Sequence, residues 1–360
     1  KRQEMMFSLE KMLEITGDVQ WADHLEKVAY NVLPTQIKDD FSARQYYQQV
    51  NQIAITCEGR NFVSPHEDTD IVFGELSGYP CCTSNLHQGW PKFTRHLWFA
   101  TADNGIASLI YAPSEVTAQV GNDITVKIAE KTDYPFEEKI DFNLSFPSKK
   151  DKKAFFPFHL RIPAWCNNPV ITINGEAVSI AAHSGEIVRI NREWKDGDEV
   201  VLNLPMEYAV RQWQVNKNSV SVDYGPLTLS LKIEEEYKQM PSTETAVWDS
   251  KWQEGADASA WPTFEILPAS PWNYALRVQS PITLQRRNWP SDNNPFTLSS
   301  VPMEFKAQGR LVPEWKIDEY GLCGVLPYEN ARKSDCLDEI TLVPMGAARL
   351  RISAFPVAER

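Results

Sequence analysis

Basic charge is in short supply in this sequence. Its 36 Lys and Arg are outnumbered by 48 Asp and Glu, for a net charge of −12, which argues against a nucleic-acid partner because a phosphate backbone needs a basic face. Long apolar runs are missing as well. None approaches the ~18–20 residues of a transmembrane helix, so no membrane span is expected. Lys1-Arg2-Gln3-Glu4 leads straight into an amphipathic segment instead of the apolar core of a leader. Cysteine is sparse: six in 360 residues make no disulfide scaffold. Cys57 and Cys166 stand alone, while Cys323 and Cys336 read equally well as a pair or as buried thiols. His24, His96, His159 and His183 show no metal-ligand spacing, and neither repeats nor low-complexity stretches are evident. What remains is an ordinary globular composition, 42% hydrophobic and 23% charged, in a chain long enough for two or three domains. Twelve Trp, twelve Tyr and sixteen Phe make it aromatic; such rings bind the C–H faces of sugars, although most must fill β-sheet cores.

Along the chain, the apolar period is first helical. Met6, Leu9 and Leu13 predict a helix over 5–16, which Gly17 stops, and Asp18 caps a second over about 19–32 with Trp21, Leu25, Val28 and Val32 inward. These two make an αα-hairpin. Residues 35–80 are poor in pattern, and the acidic stretch His66-Glu67-Asp68-Thr69-Asp70, followed by Glu75, reads as a solvated loop or the lining of a sugar pocket. A third helix is predicted over about 86–99. From Ile106 the period becomes two. Strands are expected at 106–111, 116–120, 124–128, 140–146, 158–162, 186–190, 199–204, 208–213, 219–224 and 227–231, and Asn174-Gly175 turns a hairpin after Val170–Ile173. Residues 240–300 look irregular, and 301–357 return to strands. The expected fold is mainly β with an N-terminal α portion.

The most distinctive stretch is Tyr79-Pro80-Cys81-Cys82-Thr83-Ser84-Asn85-Leu86-His87-Gln88-Gly89-Trp90-Pro91-Lys92-Phe93. Leu86, Trp90, Phe93 and Leu97 repeat at helical spacing, and Ser84 or Asn85 suits the cap, so both cysteines are expected just ahead of a helix. Thiolate, the form that attacks carbon and binds soft metals, is favoured there. A disulfide between the adjacent pair is not expected, because its ring strains the peptide. The plainer reading is two small buried residues.

Cys81-Cys82-Thr83-Ser84-Asn85 and the following His87–Phe93 segment resemble the Cys-Cys-x-x-Asn region of glycoside hydrolase family 127, whose type activity is β-L-arabinofuranosidase. The resemblance extends to Met5–Glu10, Thr16-Gly17-Asp18, Ala22–Asn31, Tyr111–Ser114 and Ile340–Pro356. It implies the last helices of an (α/α)6 barrel in residues 1–105, a β-sandwich in 106–235 and a second, partly irregular β-rich domain in 236–360. It also implies a retaining hydrolase of plant-type glycans, periplasmic or secreted, with carbohydrate as partner.

By this resemblance Cys81 is the nucleophile and a zinc ligand, and Cys82 a second ligand. The family's zinc is held by three cysteines and a glutamate, so two sulfurs fall short of four donors unless Cys57 or an acidic residue fills in. Glu26 corresponds to a glutamate that binds sugar hydroxyls, although a plain surface glutamate beside Lys27 fits equally. Tyr46 corresponds to a pocket tyrosine, with Tyr47 as good a match. His87 and Trp90 suit the same pocket, Trp90 also suiting the core. The family's Glu-x-Cys ligands and acid/base glutamate would fall before residue 1, so the chain is expected to be the C-terminal part of a longer enzyme and inactive alone. The sequence leaves open two non-enzymatic roles: a glycan-binding or scaffolding β-sandwich, and a structural zinc protein.

Overall fold

A computed structural model describes residues 2–60, 68–148, 150–246 and 250–359, the side chains of Arg2 and Gln3 excepted. His66 and Glu67 of the acidic stretch lie outside the described residues. The chain divides into two compact units, each built from two separated stretches: 1–29 with 88–207, and 30–87 with 208–360. Neither unit is a single continuous stretch of the chain. The reason is strand pairing at long range. Asn51–Gln52 pairs with Arg351–Ile352, and Ile55 and Phe73 bridge to Ile266 and Phe264, so residues 30–87 belong with the C-terminal strands.

In the first unit, helix α1 (Arg2–Thr16) turns at Gly17, whose φ of +65° suits glycine, into α2 (Val19–Lys27). Asp18 caps α2 by accepting from the Gln20 N–H at 3.0 Å. Met6, Leu9 and Leu13 face inward as their spacing predicts. Past Lys27 the backbone widens into a π turn, Val28–Val32.

Most of this unit is two sheets. One runs in the order Ile187–Lys195, Lys153–Arg161, Ile106–Ser108, Trp98–Ala100, with its middle pair parallel. The other is antiparallel: Ser114–Val120, Ile124–Thr132, Lys139–Ser145, Glu199–Asn203, Val170–Ile173, Glu176–Ala177. Their inner faces meet through Phe142 against Phe158 (ring centroids 5.3 Å apart) and Trp98 against Phe142 (5.9 Å), the alternation of a sandwich. Trp194 is fully buried and donates its indole N–H to the Phe156 carbonyl at 3.0 Å. Asn174 and Gly175 both have positive φ (53° and 81°), the type I′ signature predicted for Asn-Gly.

The second unit is built on a seven-stranded antiparallel sheet containing Tyr208–Trp213, Ser219–Tyr224, Leu227–Leu231, Asp338–Pro344, Met303–Leu311, Tyr274–Leu276 and Thr283–Arg286. Glu235–Met240 pairs with Thr263–Pro268 in a separate two-stranded sheet. Three strands therefore lie in the 240–300 stretch expected to be irregular. Their alternation is short and interrupted by Pro and Trp, so period alone does not reveal them. Among the described residues no helix is long and apolar enough to cross a membrane.

Candidate functional site

The cysteine pair lies in the second unit, and its local structure differs from expectation. The predicted helix over 86–99 is two short ones, α3 (Cys81–Leu86) and α4 (Gly89–Arg95), and Trp98–Ala100 is already strand. Both cysteines form the first turn of α3 instead of preceding it. The Thr83 N–H bonds the Pro80 carbonyl at 2.9 Å, which closes that turn. Ser84 and Asn85 do not cap it; their side chains donate back to the Cys81 carbonyl at 3.0 and 2.7 Å.

Cys81 is exposed, Cys82 is half-buried, and all six cysteines are free thiols. Burial pushes the Cys82 thiol up, against the pull of the Arg44 guanidinium, and the Cys81 sulfur adds to the rise. The thiolate expected of both cysteines is thus disfavoured at Cys82. A helix of six residues offers little dipole against that burial.

Arg44 holds the segment together. It is 1% exposed. Its Nε donates to the Thr83 hydroxyl at 2.8 Å, Nη1 to the Ser77 carbonyl at 2.7 Å, and Nη2 to the Glu75 and Tyr79 carbonyls, both at 3.0 Å. Next to it, the Gln45 amide donates to Gln52 at 3.0 Å and to the Ile71 carbonyl at 2.7 Å, and Gln52 reaches the Arg349 carbonyl at 2.9 Å. A stretch almost without regular structure is therefore fixed by buried side chains bonding its backbone. No pattern in the sequence singles out Arg44 or Thr83; only the folded loop does.

Tyr46 and His87 share the unit of the cysteines. Tyr46 packs on Tyr79, two residues before Cys81, with ring centroids 5.2 Å apart. Gly78 makes that fit possible: its φ is +57°, and an added Cβ would lie 2.6 Å from the Tyr46 Cβ. Burial, then the hydrogen bond with Tyr47, raises the Tyr46 hydroxyl above its ordinary range and keeps it neutral. His87 is exposed at the end of α3.

Glu26 and Trp90 belong to the first unit. Trp90 is half-buried on α4 and packs edge-on against Phe93, a core residue. Glu26 is not the surface residue that its neighbour Lys27 suggested: its carboxyl group is 0% exposed and bonded by Arg161, by the Tyr134 hydroxyl at 2.6 Å and by the Tyr111 N–H at 3.4 Å. Asp23 holds the other arm of Arg161. A buried cation demands such partners.

Zinc does not fit the described residues. Nowhere among them do three His, Cys, Asp or Glu converge as a metal site, and a tetrahedral zinc needs four donors. Cys57, the candidate third sulfur, donates its backbone N–H to Glu265 at 2.9 Å, and burial pushes its thiol up.

Comparison with known proteins divides the chain differently, with a break near residue 100. The model of the GH127 β-L-arabinofuranosidase catalytic domain matches residues 2–95, and that of the GH127 middle domain matches 105–206. No curated protein matches the chain. Among solved structures, one described as a glycoside hydrolase superposes with a TM-score of 0.68 at 20% identity, over 99% of this chain and 51% of its own. A GH127 β-L-arabinofuranosidase from Geobacillus stearothermophilus T6 gives 0.65 at 20% identity, over 98% and 48%. A GH127 β-arabinofuranosidase gives 0.66 at 15% identity, also over 98% and 48%. At these identities the likeness is one of fold, and the chain spans about half the length of these proteins.

Proposed function

Because the chain belongs to glycoside hydrolase family 127, we propose that it serves a β-L-arabinofuranosidase-like hydrolase of plant-type glycans, with Cys81 as the nucleophile. The observation that carries this reading is the contrast within the pair. Cys81 is exposed to a substrate, while Cys82 is tucked toward the buried Arg44, and both lie in the stretch matched by the catalytic-domain model. The hairpin of α1 and α2 supports a further proposal, that residues 2–95 belong to an (α/α)6 barrel.

The chemistry is a double displacement. The Cys81 sulfur, as thiolate, attacks the anomeric carbon. The bond to the leaving oxygen breaks, and that oxygen takes a proton from a carboxylic acid. Water, losing its proton to the resulting carboxylate, then displaces the sulfur, and two inversions give retention.

The test is hydrolysis of an aryl β-L-arabinofuranoside, with the first-formed anomer read by NMR. Cys81→Ser should cut turnover by about 10³-fold or more, as loss of a nucleophile does. Turnover within about tenfold of wild type, or an inverted first product, would remove Cys81 from that role.

A further inference from the structure

We propose that Arg44 is the positioning residue of the cysteine pair, fixing through Thr83 which of the two sulfurs is presented for reaction. The proposal rests on the reading of Cys81 as the reactive group, but its evidence is geometric. A fully buried guanidinium is costly unless its charge and its donors are met. Among the described residues Arg44 makes no close ion pair, although the Glu75 carboxylate is near enough to favour its charge. Its donors instead go to three loop carbonyls, those of Glu75, Ser77 and Tyr79, and to the Thr83 hydroxyl.

Two of those bonds close a ring. Thr83 accepts from Arg44 Nε at 2.8 Å and donates to the Glu75 carbonyl at 2.5 Å, the same carbonyl that accepts from Arg44 Nη2 at 3.0 Å. The hydroxyl is thereby held from both sides in one orientation. Thr83 is the residue after Cys82 in the first turn of α3, so fixing it fixes the rotation of that turn. The rotation turns Cys81 outward and Cys82 inward. Only a planar fork with divergent donors reaches all four acceptors; a lysine ammonium at the end of a flexible stem does not.

The experiment reads alkylation by neutral iodoacetamide at one fixed pH, by peptide mass spectrometry, and needs no glycosidase activity. Cys336, exposed and remote in sequence, normalises the rates, while the half-buried Cys323 reports unfolding of the unit that holds Arg44 and the fully buried Cys166 that of the other. In the wild type Cys81 should outpace Cys82. Arg44→Ala and Arg44→Lys should each shrink that preference by about tenfold or more, as expected for losing charge-assisted hydrogen bonds, while Cys323 and Cys166 keep their wild-type protection. Methylguanidinium at millimolar levels should restore the preference in Arg44→Ala, a rescue that a purely space-filling arginine would not show. If Arg44→Ala exposes Cys323 or Cys166, the decision passes to Thr83: Thr83→Val should weaken the preference and Thr83→Ser should keep it. An unchanged preference in a folded Arg44→Lys, or in Thr83→Val, would overturn the proposal. Should the preference depend on Arg44 while Cys81→Ser stays active on arabinofuranosides, the positioning role stands and the assignment of the nucleophile fails.

Discussion

Glu26 lies where water cannot help its charge, and burial pushes its carboxyl up against the pull of Arg161 and Tyr134. Arg161 and Tyr134 replace the solvent, and Asp23 completes the pairing of Arg161, which also lies beneath the Tyr111 ring at 5.3 Å. Removing one member of such a set leaves another charge buried and unmatched. Glu26→Gln should therefore lower the unfolding free energy by about 3–5 kcal/mol in urea titrations. Glu26→Ala and Arg161→Met together should cost less than the sum of the two single changes. Additive losses would show the two side chains to be energetically independent. A sugar-binding glutamate would behave otherwise, moving KM and leaving the denaturation midpoint nearly fixed.

The turns show how single residues hold whole elements in register. Asp103, in the turn between Trp98–Ala100 and Ile106–Ser108, reaches His159 on one neighbouring strand and Arg189 on the next. Its slight burial works against ionisation, but hydrogen bonds from Thr101 and Arg189, with His159 beside them, outweigh it and hold the carboxyl at about 2. Because the folded value lies below the ordinary 3.8, this clamp stabilises the fold above about pH 4 and is lost as the pH falls toward 2. The difference in urea midpoint between wild type and Asp103→Asn should accordingly be constant from pH 7 to 5 and vanish near pH 2. The Asn174-Gly175 turn makes a backbone prediction. Nothing lies within 4 Å of a Cβ added at Gly175, so Gly175→Ala meets only the cost of φ +81°, about 1–2 kcal/mol, readable as a lowered Tm. The Asn174-Gly175 turn and the strand before it are legible in the sequence because alternation and Asn-Gly chemistry are local, whereas Trp98–Ala100, beside the Asp103 turn, reads as the end of a helix. Helices α1 and α2 are legible for the same reason, through Gly17 and Asp18. Helix α3 is not: its six residues show less than two turns of period, and Ser84 and Asn85, which read as caps, bond backward instead.

At the scale of the molecule, the parts that stayed hidden are those made by distant residues. No local signal pairs Asn51–Gln52 with Arg351–Ile352, assigns residues 30–87 to the C-terminal strands, or shows Arg44 beneath the cysteines. The donor set also makes a prediction for the chain as a whole. With two thiols and no further converging ligands among the described residues, equimolar zinc should leave the alkylation of Cys81 and Cys82 close to its metal-free rate, measured against Cys336. Strong, selective protection would mean that other donors complete the site.

The short ribbon of Asn51–Gln52 with Arg351–Ile352 also sets an order in time. Asn51 further binds its distant partner through its side chain, which accepts from the Ser353 and Ala354 N–H groups at 2.9 Å across 302 and 303 residues. A ribosome delivers the cysteine pair long before it delivers these partners, and until they arrive Gln52 has no Arg349 carbonyl to hold, so the loop behind Arg44 stays unanchored. During synthesis the two thiols would be equally open to oxidants and metals. The contacts of Arg44 that set them apart gain their last support when the far end of the chain folds back.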